Sequence, residues 1–166
     1  YGANTATLSG TNQWNYTADD QTVNVLEDID TACAALAMPA NVIVMGKEVW
    51  DVVRRDAGIL ALMPAERGVV TPQILAEIFD VERVIIGRSK SWTAAGVLSY
   101  LWGKHLIAAH VEKPSPESVQ MGLTFAVGER HVVRSWMDPA IGGGSEVIEV
   151  DWAWDVNFIA TDCGYL

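Results

Sequence analysis

The chain has 166 residues, half of them apolar, a formal net charge of -10 and an acidic isoelectric point. That apolar share supports a sizeable core and excludes disorder by composition. The 11 basic residues are scattered, with Arg54 and Arg55 the only adjacent pair, which excludes a surface built to neutralise phosphates; an acidic chain can still line a compartment that holds DNA without specific binding.

No apolar run approaches the roughly 20 residues of a membrane span, and no basic segment followed by an apolar stretch marks a secretory leader. The sequence opens on Tyr1 rather than Met, in a Gly, Ala, Thr and Asn stretch that reads as the interior of a longer polypeptide. Cys33 and Cys163 are too far apart for a metal knuckle or a disulfide framework and are expected as incidental reduced thiols.

In chain order, residues 1–20 are polar and turn-rich, an extended lead-in. Val23, Leu26, Ile29, Cys33 and Leu36 then recur at spacings of three and four, which predicts an amphipathic helix over about 20–37, with Asp20 as N-cap and Pro39 beyond its end. A mixed α/β part follows over about 41–87. Val42 to Gly46 is a short apolar run between turn residues, a buried strand, and Lys47 to Ala57 is a helix stopped by Gly58. Thr71-Pro72 supplies an N-cap and a first-turn proline for another helix, and Val84 to Gly87 a second buried strand.

Residues 88–103 lack a clean period and read as a long surface loop carrying Trp92 and Trp102, the two candidate subunit-contact residues. The part from 104 to 166 is β-rich. Leu106 to Val111 is a strand, Val119 to Val127 alternates at period two, and a strand around Val132 to Trp136 meets a turn at 138–144. Ile148, Val150, Trp152, Trp154, Val156, Phe158 and Ala160 then share one parity, predicting a long half-buried strand with Trp152 and Trp154 in the core. The fold class is α+β, mixed helices and short buried strands first and long antiparallel strands later.

Chemistry is sparse. Glu149, Asp151 and Asp155 share a parity with oxygen ligands suited to Ca²⁺ or Mg²⁺, but same-face neighbours on one strand stand roughly 6.7 Å apart, so a solvated face is the reading adopted. His105 and His110, five apart in a strand, face opposite ways, and His131 is isolated. Ser145 follows Gly142, Gly143 and Gly144 but sits in no nucleophile elbow, and no Lys-Ser or Lys-Thr follows those glycines to make a phosphate loop. No catalytic residue, metal or cofactor is assigned, and the chain is expected not to be an enzyme.

The order of segments resembles the major capsid proteins of tailed phages and prophages that share the Hong Kong 97 (HK97) capsid fold. Met38 to Gly46 followed by Glu48-Val49-Trp50 is similar to that family's Pro-x-Asn, apolar strand, Gly and helix. Thr71 to Ala76 with Val81 to Gly87 is similar to its next helix and strand. Leu101-Trp102-Gly103-Lys104 resembles the Trp-Gly step before a strand, and Asp151 to Leu166 its C-terminal strand.

The resemblance covers about 20–166. It implies a self-assembling subunit of pentamers and hexamers in an icosahedral virion capsid, put together in the bacterial host cytoplasm, with scaffold and portal partners, enclosed DNA and no membrane. It further implies a spine-type helix over 20–37 and a C-terminal fragment lacking the N-terminal arm and extended loop, with no crosslinking lysine assignable among Lys47, Lys90, Lys104 and Lys113. An encapsulin-like nanocompartment shell around a cargo enzyme is the alternative of the same fold, and a small hydrolase or metal-dependent enzyme the alternative of another class.

Overall fold

The computed structural model describes residues 4–15, 23–63, 68–113, 115, 117–126, 132–140 and 144–166. These fall into two compact units: the first holds the chain up to Met121 together with Ala160–Leu166, the second Gly122–Ile159. Among the described residues no helix is long and apolar enough to cross a membrane.

In the first unit, helix α1 (Val25–Ala34) is capped by Asn24, whose side chain accepts from the Glu27 amide at 3.3 Å. Asp20, the cap expected from the sequence, lies outside the described residues, and the helix ends before Leu36. Its inward face is Val25, Ile29 and Ala32, the three-and-four spacing of a stripe turned to a core. Strand β1 (Val42–Gly46) leads directly into α2 (Lys47–Val53).

The single helix expected over 47–57 is two. After a turn at Arg54 and Arg55, Asp56 caps a new helix, α3 (Ala57–Leu62), by accepting from the Ile59 amide at 3.0 Å. Gly58 therefore stands in the first turn of α3 instead of ending α2, because an Asp one residue before a helical start outweighs the stop signal of a glycine. Helix α4 (Pro72–Ile78) begins as the sequence predicts, with Thr71 Oγ1 accepting from Ile74 and Pro72 in the first turn. Strand β2 (Arg83–Gly87) follows.

Residues 88–103, read as a loop, contain a β-hairpin of β3 (Lys90–Trp92) and β4 (Leu98–Tyr100). Three-residue strands are too short to leave a detectable period, which is why the sequence concealed them. Strand β5 (Leu106–Ala109) and the C-terminal β10 (Gly164–Tyr165) complete a sheet in the order β10-β5-β1-β2. Within it β1 and β2 are parallel, and β5 is antiparallel to both β1 and β10. The parallel pair is joined through α2, α3 and α4, the helical crossover that parallel strands require. Ile43 and Met45 of β1, Val49, Trp50 and Val53 of α2, Ile59 of α3, Leu75 of α4 and Ile29 of α1 form one buried cluster.

The second unit is a ribbon of two nested antiparallel ladders. Strand β6 (Gly122–Ala126) pairs with β9 (Trp154–Phe158), and β7 (Val132–Asp138) with β8 (Ser145–Asp151). The long strand expected through the C-terminal region is thus broken at Trp152 and Ala153. Its apolar parity is also not half-buried. Trp152 and Trp154 are 69% and 59% exposed, and Ile148, Val150, Val156 and Phe158 are exposed with them. Alternation places side chains on one face but supplies no second layer to cover it, and a two-stranded ribbon has none of its own.

Candidate functional site

The aromatic candidates occupy one hairpin and the segment after it. The β3–β4 register sets Trp92 opposite Leu98 and Lys90 opposite Tyr100 on one face, and Ser91 opposite Ser99 on the other. The Lys90 ammonium lies 4.6 Å from the Tyr100 ring centroid. At the tip, Thr93 accepts through its hydroxyl and carbonyl from Val97 and Gly96, and Gly96 has the positive φ of 73° that the tight return needs. Trp92 is 73% exposed and its register partner Leu98 is exposed with it, so this face of the hairpin turns apolar surface toward solvent.

Trp102 is held differently. Gly46 and Gly87 are register partners at the ends of β1 and β2, and a Cβ on Gly87 would lie 3.0 Å from the Trp102 side chain. A Cβ on Gly46 would lie 2.0 Å from the Gly103 carbonyl oxygen and 3.1 Å from the Trp102 ring. The two glycines leave a flat seat on which the indole rests, which fixes the segment leading into β5. Trp92 is therefore free to make contacts, while Trp102 is shared between its own seat and the surface.

Sequence reasoning missed the second apolar surface, on the ribbon. Through the β7–β8 register, Val133 faces Val150, Ser135 faces Ile148 and Met137 faces Glu146 on one side. All four large apolar side chains there are exposed. The opposite side carries Arg134 with Asp151 at 4.0 Å, together with Glu149 and Trp136. Among the described residues the β7–β8 ladder has no third strand in register, and strand alternation alone carries no signal of whether a face is covered.

The residues weighed for chemistry are not brought together. Glu149 and Asp151 lie on β8, but Asp155 lies on β9, where its carboxylate accepts from Asn157 at 2.9 Å. Among the described residues no group of three or more His, Cys, Asp or Glu side chains could hold a metal. His131, Gly142 and Gly143 lie outside the described residues. Cys33 and Cys163 are free; burial pushes both thiols up, with Asp30 adding to the effect at Cys33 and Asp162 at Cys163. Of the lysines, Lys47 is hydrogen-bonded to Asp51, whose carboxyl this contact holds below its usual range, with Arg54 and Arg55 contributing.

The fold is one that phage-derived proteins use. In structure the chain is similar to a phage-related protein of Bordetella bronchiseptica RB50, with a TM-score of 0.81 and 18% identity over 99% of this chain and 55% of that one. It is also similar to a prophage protein of E. coli CFT073 provisionally described as its capsid protein, with a TM-score of 0.58 and 17% identity over 92% of this chain and 48% of that one. No family model matches the sequence.

In sequence the chain is 29% identical over 157 residues to the major capsid protein of Pseudomonas phage JBD67, covering 87% of this chain and 48% of that relative. The chain thus spans about half the length of the proteins it matches. The resemblance to phage and prophage capsid proteins and the α+β fold class, both read from segment order, are met by these likenesses.

Proposed function

We propose that this chain is a structural subunit of the icosahedral capsid of a tailed phage or prophage, a non-enzymatic protein that self-assembles through pentamers and hexamers to enclose a genome. The observation that carries the reading is the likeness to a phage major capsid protein over 87% of the chain. That name also favours a phage head over a cargo-enclosing compartment.

Two surfaces support it physically. A shell subunit holds its neighbours through many weak contacts that become strong together, and such contacts need apolar area that the single subunit leaves open. The β3–β4 hairpin offers Trp92, and the ribbon offers Val133, Met137, Ile148 and Val150. The ribbon needs such cover, because a two-stranded hairpin alone is marginally stable in water. Trp92 and Trp102 are the proposed anchors of the first surface, as buried aromatics dominate contact energies.

Expression followed by electron microscopy and sedimentation tests the reading. Closed particles tens of nanometres across are expected from the intact polypeptide, with Trp92→Ala lowering their yield while leaving the subunit folded. Trp92 is the cleaner variant, since truncating Trp102 also removes the ring seated on Gly46 and Gly87. A species that stays monomeric under every assembly condition, or particles indifferent to Trp92→Ala, would overturn the function and the anchor respectively.

A further inference from the structure

Beyond the shell reading, and independent of it, polar groups gather where β5 ends. His110 follows Ala109 there, its side chain 13% exposed, and both of its ring nitrogens face oxygen. Nδ1 is 2.7 Å from the Pro39 carbonyl and Nε2 is 3.2 Å from Glu112 Oε1. A carbonyl oxygen and an ionised carboxylate can only accept. A neutral imidazole has one N–H, so it satisfies one of these oxygens and turns a lone pair toward the other; an imidazolium satisfies both.

The surrounding charge points the same way. Glu82, Glu112, Lys113 and Glu117 line the open groove beside the ring, three carboxylates against one ammonium. On the C-terminal side the His110 amide donates to the Cys163 carbonyl at 2.9 Å, next to Asp162. The acceptor at Pro39, then Glu112, raise the ring's affinity for a proton above that of an ordinary histidine, Glu82 adding to this and burial opposing it.

What the ring holds is the root of the ribbon. The Glu112 amide donates to Gln120 Oε1 at 3.3 Å, and Gln120, 1% exposed, donates to Ser118 Oγ at 2.7 Å. The Gln120 carbonyl accepts from Ala160, and the Met121 amide donates to the His110 carbonyl at 3.2 Å. Residues 121 and 160 are where the chain leaves the first unit and returns to it. On the other side, Asn41, two residues after Pro39, is hydrogen-bonded to both backbone groups of Val111.

We propose that His110 is a proton-operated clasp: charged, it ties the α1–β1 connection at Pro39 to Glu112 and so braces the two chain segments from which the ribbon extends; neutral, it releases Glu112. On deprotonation the shorter bond from Nδ1 to Pro39 is kept. The Nε2 lone pair then meets the Glu112 carboxylate, which is 45% exposed and free to turn into solvent. The sign follows from linkage. A histidine whose proton affinity is raised by folding stabilises fully below its unfolded pKa of about 6.5, and that stabilisation is lost as pH rises through the higher folded value.

The test is an NMR titration of the His110 ring in the intact chain, with hydrogen-exchange protection of the Glu112, Met121 and Ala160 amides measured near pH 6 and near pH 8 and corrected for intrinsic base catalysis. The clasp requires a midpoint above about 6.5, a downward move of that midpoint in Glu112→Gln, and protection that falls between the two conditions in the wild type only. A wild-type midpoint at or below the free-histidine value would overturn it without need of any variant. Protection equal at both conditions would leave His110 a simple surface ion pair and overturn the bracing role.

Discussion

The sheet of the first unit and the ribbon of the second both carry large apolar side chains on their strands, and these end in opposite environments. Ile43 and Met45 of β1 have no exposed surface, whereas Ile148 and Val150 of β8 keep 63% and 57% of theirs. The difference is in what each strand is given to pack against. β1 lies between β2 and β5 with four helices contributing to the cluster around it; among the described residues β8 pairs with β7 alone. Periodicity decides that a segment is extended and which side chains share a face, and burial is decided by a second layer that periodicity does not encode.

The largest effect expected from this contrast is at Trp50, a core tryptophan of α2 that is 5% exposed. Trp50→Ala removes a large ring from a packed cluster and is expected to lower unfolding free energy by about 3–5 kcal/mol in a denaturant titration. A loss below about 1 kcal/mol would mean that the first unit has no close-packed core, and the contrast with the ribbon would collapse.

Next is Gly46→Ala, at the end of the buried strand. The added methyl meets the Gly103 backbone oxygen at 2.0 Å, and a backbone carbonyl cannot move aside as a flexible side chain can. A loss of about 1–3 kcal/mol is expected, in the range of overpacked interiors. Because Gly103 follows Trp102, the indole fluorescence should shift as well; an unchanged spectrum and stability would place the Trp102 segment elsewhere. A smaller change is expected at the helix end. Thr71→Ala deletes the acceptor for the Ile74 amide and should cost about 1 kcal/mol, while Thr71→Ser should restore most of it.

These sites also mark what the sequence could disclose. The α4 start was legible because Thr71-Pro72 signals through local backbone chemistry, and the β1 and β2 strands because short apolar runs between turn residues have few other fates. The α2–α3 break was missed because Gly58 and Asp56 give opposite local signals, and only the geometry shows the Asp56 carboxylate accepting from Ile59. The hairpin bearing Trp92 was missed because its strands are three residues long. His105 and His110, expected within a strand, instead flank β5 (Leu106–Ala109) on either side, and the partners of the His110 ring left no signal in the sequence. Pro39 meets it only after a contact 71 residues apart in the chain has formed, which no local pattern reveals.

The smallest expected effect is the sharpest check on the comparison. Trp154 carries the same side chain as Trp50, and its place in the apolar parity implied a core ring whose loss would cost as much. At 59% exposure, on a face opposed by Thr124 and Ala126 positions of a lone partner strand, it has little packing to lose. Trp154→Ala in the isolated chain should therefore change unfolding free energy by no more than about 0.5 kcal/mol, the range of ordinary surface substitutions. In an assembled shell the same truncation should instead weaken association, because an exposed aromatic on a ribbon that cannot stabilise itself gains its packing only from a covering surface. Parallel denaturation of the chain and dissociation of particles by dilution separates the two. A loss of 3 kcal/mol or more in the isolated chain would show the ring covered before assembly; unchanged particles would show it uncovered afterwards as well, and the ribbon face would then have no part in holding the shell together.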